Sequence, residues 1–201
     1  MKPLLLFLLL TFTVWSDEPK TPVTFKTVTA RPTIAQLKAK RAAADKYLKQ
    51  HDAALLLFAK APGKEETIKV KNGEWPEEVE VSYNVLRNAK GKIIMIMEIP
   101  FSQSGDWSIT YTHYFDDAGN TYAYKKETNV FDDVKGGIIY GTEVNYYDSS
   151  FKPLARSKTL QDKFGTKVKD TGHINMYDSW YKHSIYKNLK VCLAGYHLKG
   201  S

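Results

Sequence analysis

Asp106, His113 and Asp116 are the residues whose types could do hydrolytic chemistry together, two carboxylates and an imidazole within one short stretch. A carboxylate beside an imidazole supplies a general acid and base. The same stretch is rich in rings: Trp107, Tyr111, His113, Tyr122 and Tyr124 are the residues expected to bind a ligand, by stacking on sugars or peptides. Tyrosine also favours strands for its own sake, so part of this aromatic content is core. His173, His183 and His197 stand 10 and 14 residues apart, without the close pairing a metal site needs. His51 falls on an expected helix stripe and could approach His113 if that helix lies over the sheet. Cys192 sits alone in an apolar run, a poor setting for a nucleophile. No metal ligand set, cofactor-binding motif or phosphate-binding glycine loop is read.

Asp170-Thr171-Gly172 resembles the signature of aspartic proteases, which need two such aspartates sharing a proton. Lys169 precedes this one and no second tripeptide occurs, so a turn is expected. Phe115-Asp116-Asp117, Phe131-Asp132-Asp133 and Tyr147-Asp148-Ser149 repeat one pattern, their aromatics 16 residues apart. Asp and Ser end strands by bonding their own backbone, and Gly tolerates positive φ. The interval is one long strand plus one tight turn, so these aspartates are turn residues and not Ca²⁺ ligands. The Phe115–Gly119 turn resembles those of tyrosine-aspartate repeats in bacterial surface proteins.

The elements that must position these residues follow from periodicity. Thr33 and Gln36 form a capping box. Leu37, Ala44, Leu48, His51, Leu55 and Phe58 then make one helical stripe, running to a stop at Pro62-Gly63. Lys38, Lys40, Arg41, Lys46 and Lys49 are on the outer face. After Pro62-Gly63 the period becomes two, with a short strand at 67–71 followed by Asn72-Gly73, a hairpin signal. Strands are expected over 79–85, 93–99 (apolar on both faces, hence central), 107–115, 121–131, 138–147 and 154–160. Gly141 is expected at a bulge or bend, and Arg156 and Lys158 mark a charged edge strand. A short helix capped by Asp178 and a last strand at 191–193 complete the reading. The expected fold is α+β: an N-terminal amphipathic helix packed on a long-stranded, curved antiparallel β-meander of about seven strands. The layout resembles cystatin-like and other helix-wrapping sheets.

Residues 1–16 read as a secretory signal: Lys2, an apolar run from Leu4 to Trp15, and Val14-x-Ser16 as the cleavage site. The run is too short to span a bilayer, so no stable membrane span is expected after cleavage. No Cys lies near the cut, so no lipoprotein is expected. Residues 17–32 read as a linker or leading strand, and 33–201 as a single domain. Without Lys2, 28 Lys and Arg face 22 Asp and Glu. The expected protein is secreted or periplasmic and binds through its aromatic sheet face or strand-end loops. Its partner is a polysaccharide, a peptide or an envelope protein. Nucleic acid is not expected for an exported chain without a basic cluster. A non-catalytic role is favoured. The alternatives are a hydrolase of envelope or dietary polymer, and an inhibitor of an exported enzyme, for which a projecting loop at 101–105 would speak.

Overall fold

The computed structural model describes residues 31–132, 137–169 and 181–200. The signal, most of the linker, Asp133, Asp170-Thr171-Gly172, His173 and the Asp178 cap lie outside the described residues; Asp132, expected in a turn, is instead the last residue of a strand, paired with Gly137. Two helices are described, α1 (Ile34–Gln50) and α2 (Leu189–Gly195). Between them run β1 (Leu56–Lys60), β2 (Thr67–Lys69), β3 (Val81–Arg87), β4 (Ile93–Pro100), β5 (Trp107–Phe115), β6 (Thr121–Asp132), β7 (Gly137–Tyr147) and β8 (Pro153–Asp162). They form one antiparallel sheet in the order β2-β1-β3-β4-β5-β6-β7-β8. The fold is α+β, and β3 to β8 are a meander.

Thr33 caps α1: its hydroxyl accepts from the Gln36 amide at 3.3 Å, and the Gln36 side chain accepts from the Thr33 amide at 2.8 Å. The helix ends sooner than the stripe implies. His51 leaves helical geometry at φ −136°, a 3₁₀ turn follows at Asp52–Ala54, and Leu56–Lys60 is a strand. The run at 53–59 is apolar all round because β1 is an inner strand, paired with β2 on one side and β3 on the other. Phe58 is therefore a strand residue, buried against Val81, Tyr83 and Cys192. Leu37 and Ala44 are the buried residues of α1 and share a cluster with Leu86, Met95, Tyr114, Val144 and Tyr146. Arg41, expected outside, donates from Nε to Tyr146 Oη at 3.0 Å. Tyr114 Oη donates to Asp45 at 2.6 Å.

The turns repeat as expected, in more places than the aromatic signature marks. Asp116 Oδ1 accepts from the amides of Ala118 (3.0 Å) and Asn120 (2.8 Å). Asp148 does the same for Ser150 and Lys152, Asp162 for Phe164 and Thr166, and Asn88 for Lys90 and Lys92. Three residues after each of these, the chain takes positive φ, at Gly91, Gly119, Phe151 and Gly165. Gly141 makes no bulge: the β6–β7 register runs unbroken through Thr128↔Gly141. The 191–193 stretch is not a strand but the middle of α2, capped by the Asn188 side chain on the Val191 amide.

Candidate functional site

The sheet face opposite the Leu37–Ala44 cluster carries an ordered set of rows. By register, Tyr83, Glu98, Tyr111, Lys126, Glu143 and Lys158 lie side by side from β3 to β8. Beside them run Ile96, His113, Tyr124, Asn145 and Arg156, and then Ile109, Thr128, Gly141 and Leu160. The segment from Tyr181 to Leu198 meets this face, with Cys192, Tyr196 and Leu198 buried against Val85, Ile96 and Phe115.

Glu98 is the centre of that meeting. It is 3% exposed, and a carboxylate there must be compensated by donors. Tyr181 Oη donates to Oε1 at 2.5 Å, and Tyr196 Oη to Oε2 at 2.8 Å. His183 Nδ1 lies 2.6 Å from Oε2; because a carboxylate only accepts, that nitrogen carries the proton. Burial, then the Glu98 charge, pushes the Tyr181 and Tyr196 hydroxyls well above the ordinary tyrosine range. The same two causes raise the Cys192 thiol, so it is no thiolate nucleophile.

His183 is stacked on Tyr111, centroids 3.9 Å apart and planes 6° apart, and lies 5.2 Å from Tyr124. His113 is fully buried. Its Nε2 accepts from the Tyr186 amide at 3.0 Å, so the ring is neutral with its proton on Nδ1. Burial, aided by the neighbouring His183, pushes its pKa down to about 3. Among the described residues neither His113 Nδ1 nor His183 Nε2 has a hydrogen-bond partner, and both atoms are sealed from solvent.

Two hollows flank this cluster. The larger, about 490 Å³, has Tyr111, Tyr124, Thr128 and Leu160 on the sheet side and Tyr181, His183 and Ile185 across from them. Gly141 opens its floor: a Cβ there would stand 3.2 Å from Leu160 Cδ2. Lys126, Arg156, Lys158 and Lys182 also line it, with Glu143 the one carboxylate among the described lining residues. Burial alone would raise the Glu143 carboxyl, but bonds from Arg156 and Asn145 outweigh it and hold the group below the ordinary range. The smaller hollow, about 290 Å³, is lined by Glu98, Tyr83, Tyr181, Tyr186 and Tyr196, with Lys60, Glu65, Lys182 and His197 among the other lining residues.

The expected site residues divide. Trp107, Tyr111 and Tyr124 share one cluster, and His113 meets Tyr124 edge-on at 5.3 Å. Tyr122 is on the other side of the sheet, under Lys40 of α1. Asp106, His113 and Asp116 are not one group. Asp106 precedes β5 and Asp116 follows it, roughly 30 Å apart at the rise of an extended strand, and Asp116 is occupied by its turn. His51 caps the end of α1, exposed and stacked on Tyr47, and does not approach the buried His113. Among the described residues no three His, Cys, Asp or Glu gather as a metal site.

Glu98 is the residue the sequence reading missed. Its signal was present: a glutamate inside Ile93–Pro100, a run apolar on both faces, has to be buried, and a buried glutamate demands donors from elsewhere.

No family model, curated protein or solved structure matches this chain.

Proposed function

We propose that this is an exported, non-catalytic binding domain whose ligand seats in the larger hollow of the aromatic face. The observation that carries the reading is the wall of Tyr111, His183 and Tyr124 beside an open floor at Gly141. Rings fixed by stacking, next to space, suit a flat or ring-shaped partner. The basic lining favours an acidic one, such as a uronate-containing polysaccharide segment. The reading takes α1 as seated on the opposite face, supported by the Arg41–Tyr146 and Tyr114–Asp45 bonds. Export rests on the Val14-x-Ser16 site; N-terminal sequencing from the native host should find Asp17 first, and an intact Met1 would end that part.

Hydrolysis of the same polymer is the weaker reading. Glu98 and His183 have the pairing of an oriented base, but the nitrogen that would take a proton from water is sealed. An inhibitor reading has one observation behind it. Phe101 is 62% exposed at the head of a loop braced by the Gly105 amide on Ser102 Oγ.

Calorimetric titration with acidic and neutral oligosaccharides of equal length tests the binding reading. Acidic chains should bind, and Gly141→Val, which fills the floor, should weaken them at least roughly 10-fold, the equivalent of ~1.4 kcal/mol. Binding unmoved by Gly141→Val would remove the larger hollow from consideration. No oligosaccharide binding, together with inhibition of an exported glycosidase or protease that Phe101→Ala abolishes, would favour the inhibitor.

A further inference from the structure

The smaller hollow carries a chemistry that the binding reading does not use. Its inner end is Glu98, surrounded by Tyr83, Tyr181, Tyr186 and Tyr196. The rings are close: Tyr83 lies 4.8 Å from Tyr196, and Tyr186 meets Tyr196 edge-on at 5.0 Å. Phenol rings present negative faces, and cations bind over such faces. A carboxylate offers about four acceptor positions. Tyr181 uses one on Oε1, while His183 and Tyr196 use those on Oε2, so one position on Oε1 is left by the described residues. The nearby Lys60 is committed to Glu80 at 3.0 Å. A buried negative charge in a hollow lined by four tyrosines, with an acceptor position to spare, calls for a cation that can donate a hydrogen bond.

We infer that this hollow binds a primary alkylammonium group, either a small aliphatic amine or the end of a lysine side chain from a partner protein. The ammonium donates to Glu98 Oε1, and its methylene stem lies along the tyrosine rings. A volume of about 290 Å³ accommodates a four-carbon amine, given that one water occupies roughly 30 Å³ in the liquid. Lys182, exposed and lining the same hollow, sets the affinity by like-charge repulsion.

Titration calorimetry with n-butylammonium, n-butanol and butyrate tests this. Butylammonium should bind at least roughly 10-fold tighter than the other two. Glu98→Gln should abolish the preference. Because that variant also loosens the segment from Tyr181 to Tyr196, Lys182→Ala and Lys182→Glu supply a second measurement at an exposed position. Each should tighten butylammonium, Lys182→Glu more, by about 3- to 10-fold at low salt. Equal binding of amine and alcohol, no binding at about 10 mM amine, or affinity unmoved in both Lys182 variants would overturn the inference. 1,4-Diaminobutane binding tighter than an acetylated lysine peptide identifies a small amine as the ligand; the reverse order identifies a partner's lysine. Tyr181 and Lys182 line both hollows, whereas Gly141 lines only the larger, so butylammonium binding that survives Gly141→Val belongs to the smaller one.

Discussion

Asp116→Asn and Asp116→Ala separate a turn from an ion site. Asp116 Oδ1 accepts two backbone amides, and Oδ2 lies 3.3 Å from Asn120 Nδ2. Hydrogen bonds to a charged acceptor contribute about 1.5–3 kcal/mol each when buried. Asp116 is only half-buried, so we expect Asp116→Ala to cost ~1–2 kcal/mol in total. In a chain of this size that lowers the melting temperature by about 3–6 °C. Asp116→Asn keeps the accepting oxygen and should cost under about 0.5 kcal/mol. The chain contains its own control, since Asn88 makes the same pair of bonds at 3.0 Å each with an amide oxygen. Thermal melts of the three proteins, each with added Ca²⁺ and with chelator, read the outcome. A Ca²⁺-dependent rise in the wild type, absent in Asp116→Asn, would refute the reasoning, because an ion bound only to the native state stabilises by mass action.

Three further outcomes are expected. His113 has a folded pKa near 3 against 6.5 for an ordinary histidine. Below about 6.5 the unfolded chain takes up a proton that the native ring refuses. Its contribution is complete above that pH and is lost as pH falls toward about 3, at up to ~1.4 kcal/mol per pH unit; denaturation midpoints of the wild type and His113→Leu across this range should converge on acidification. A Cβ at Gly195 would stand 2.3 Å from Tyr186 Oη and 2.4 Å from Tyr186 Cζ, so Gly195→Ala should cost about 1–3 kcal/mol and much less in a Tyr186→Ala background, measured as a double-mutant cycle in urea. Leu37→Ala should cost ~2–4 kcal/mol while Lys38→Ala stays within about 0.5 kcal/mol; equal urea midpoints would misplace the inner face of α1.

Most of the sheet was legible because its strands announce themselves locally. Val81 to Val85, Trp107 to Phe115 and the long β6 and β7 alternate or end on turn residues, and the Asp116 and Asp148 turns need only neighbours to form. The start of α1 was legible for the same reason, since Thr33 and Gln36 bond each other. Its end was not, because Leu55 and Phe58 continue the helical stripe and only pairing with Asn84 and Tyr83 draws Leu57 and Phe58 into a strand. Gly141 gave no hint of a cavity floor, since what makes it one is Thr128 and Leu160 on neighbouring strands. The polar cluster was the least legible. Tyr181, His183 and Tyr196 stand in a segment with little periodicity, and their importance comes from Glu98, far off in the chain.

That separation governs how the molecule comes together. The bonds that satisfy Glu98 span 83, 85 and 98 residues, whereas each hairpin from β3 to β8 closes over a short loop. Hairpins with local contacts form fast, and contacts of long separation come last. A chain emerging from its N-terminus can build the meander early, but Glu98 stays without these three donors until Tyr181, His183 and Tyr196 appear. Native burial of Glu98 thus waits for the stretch from Tyr181 to Tyr196. A chain cut before Tyr181 should collapse without completing its core, exposing the apolar surface of β3 and β4 to aggregation.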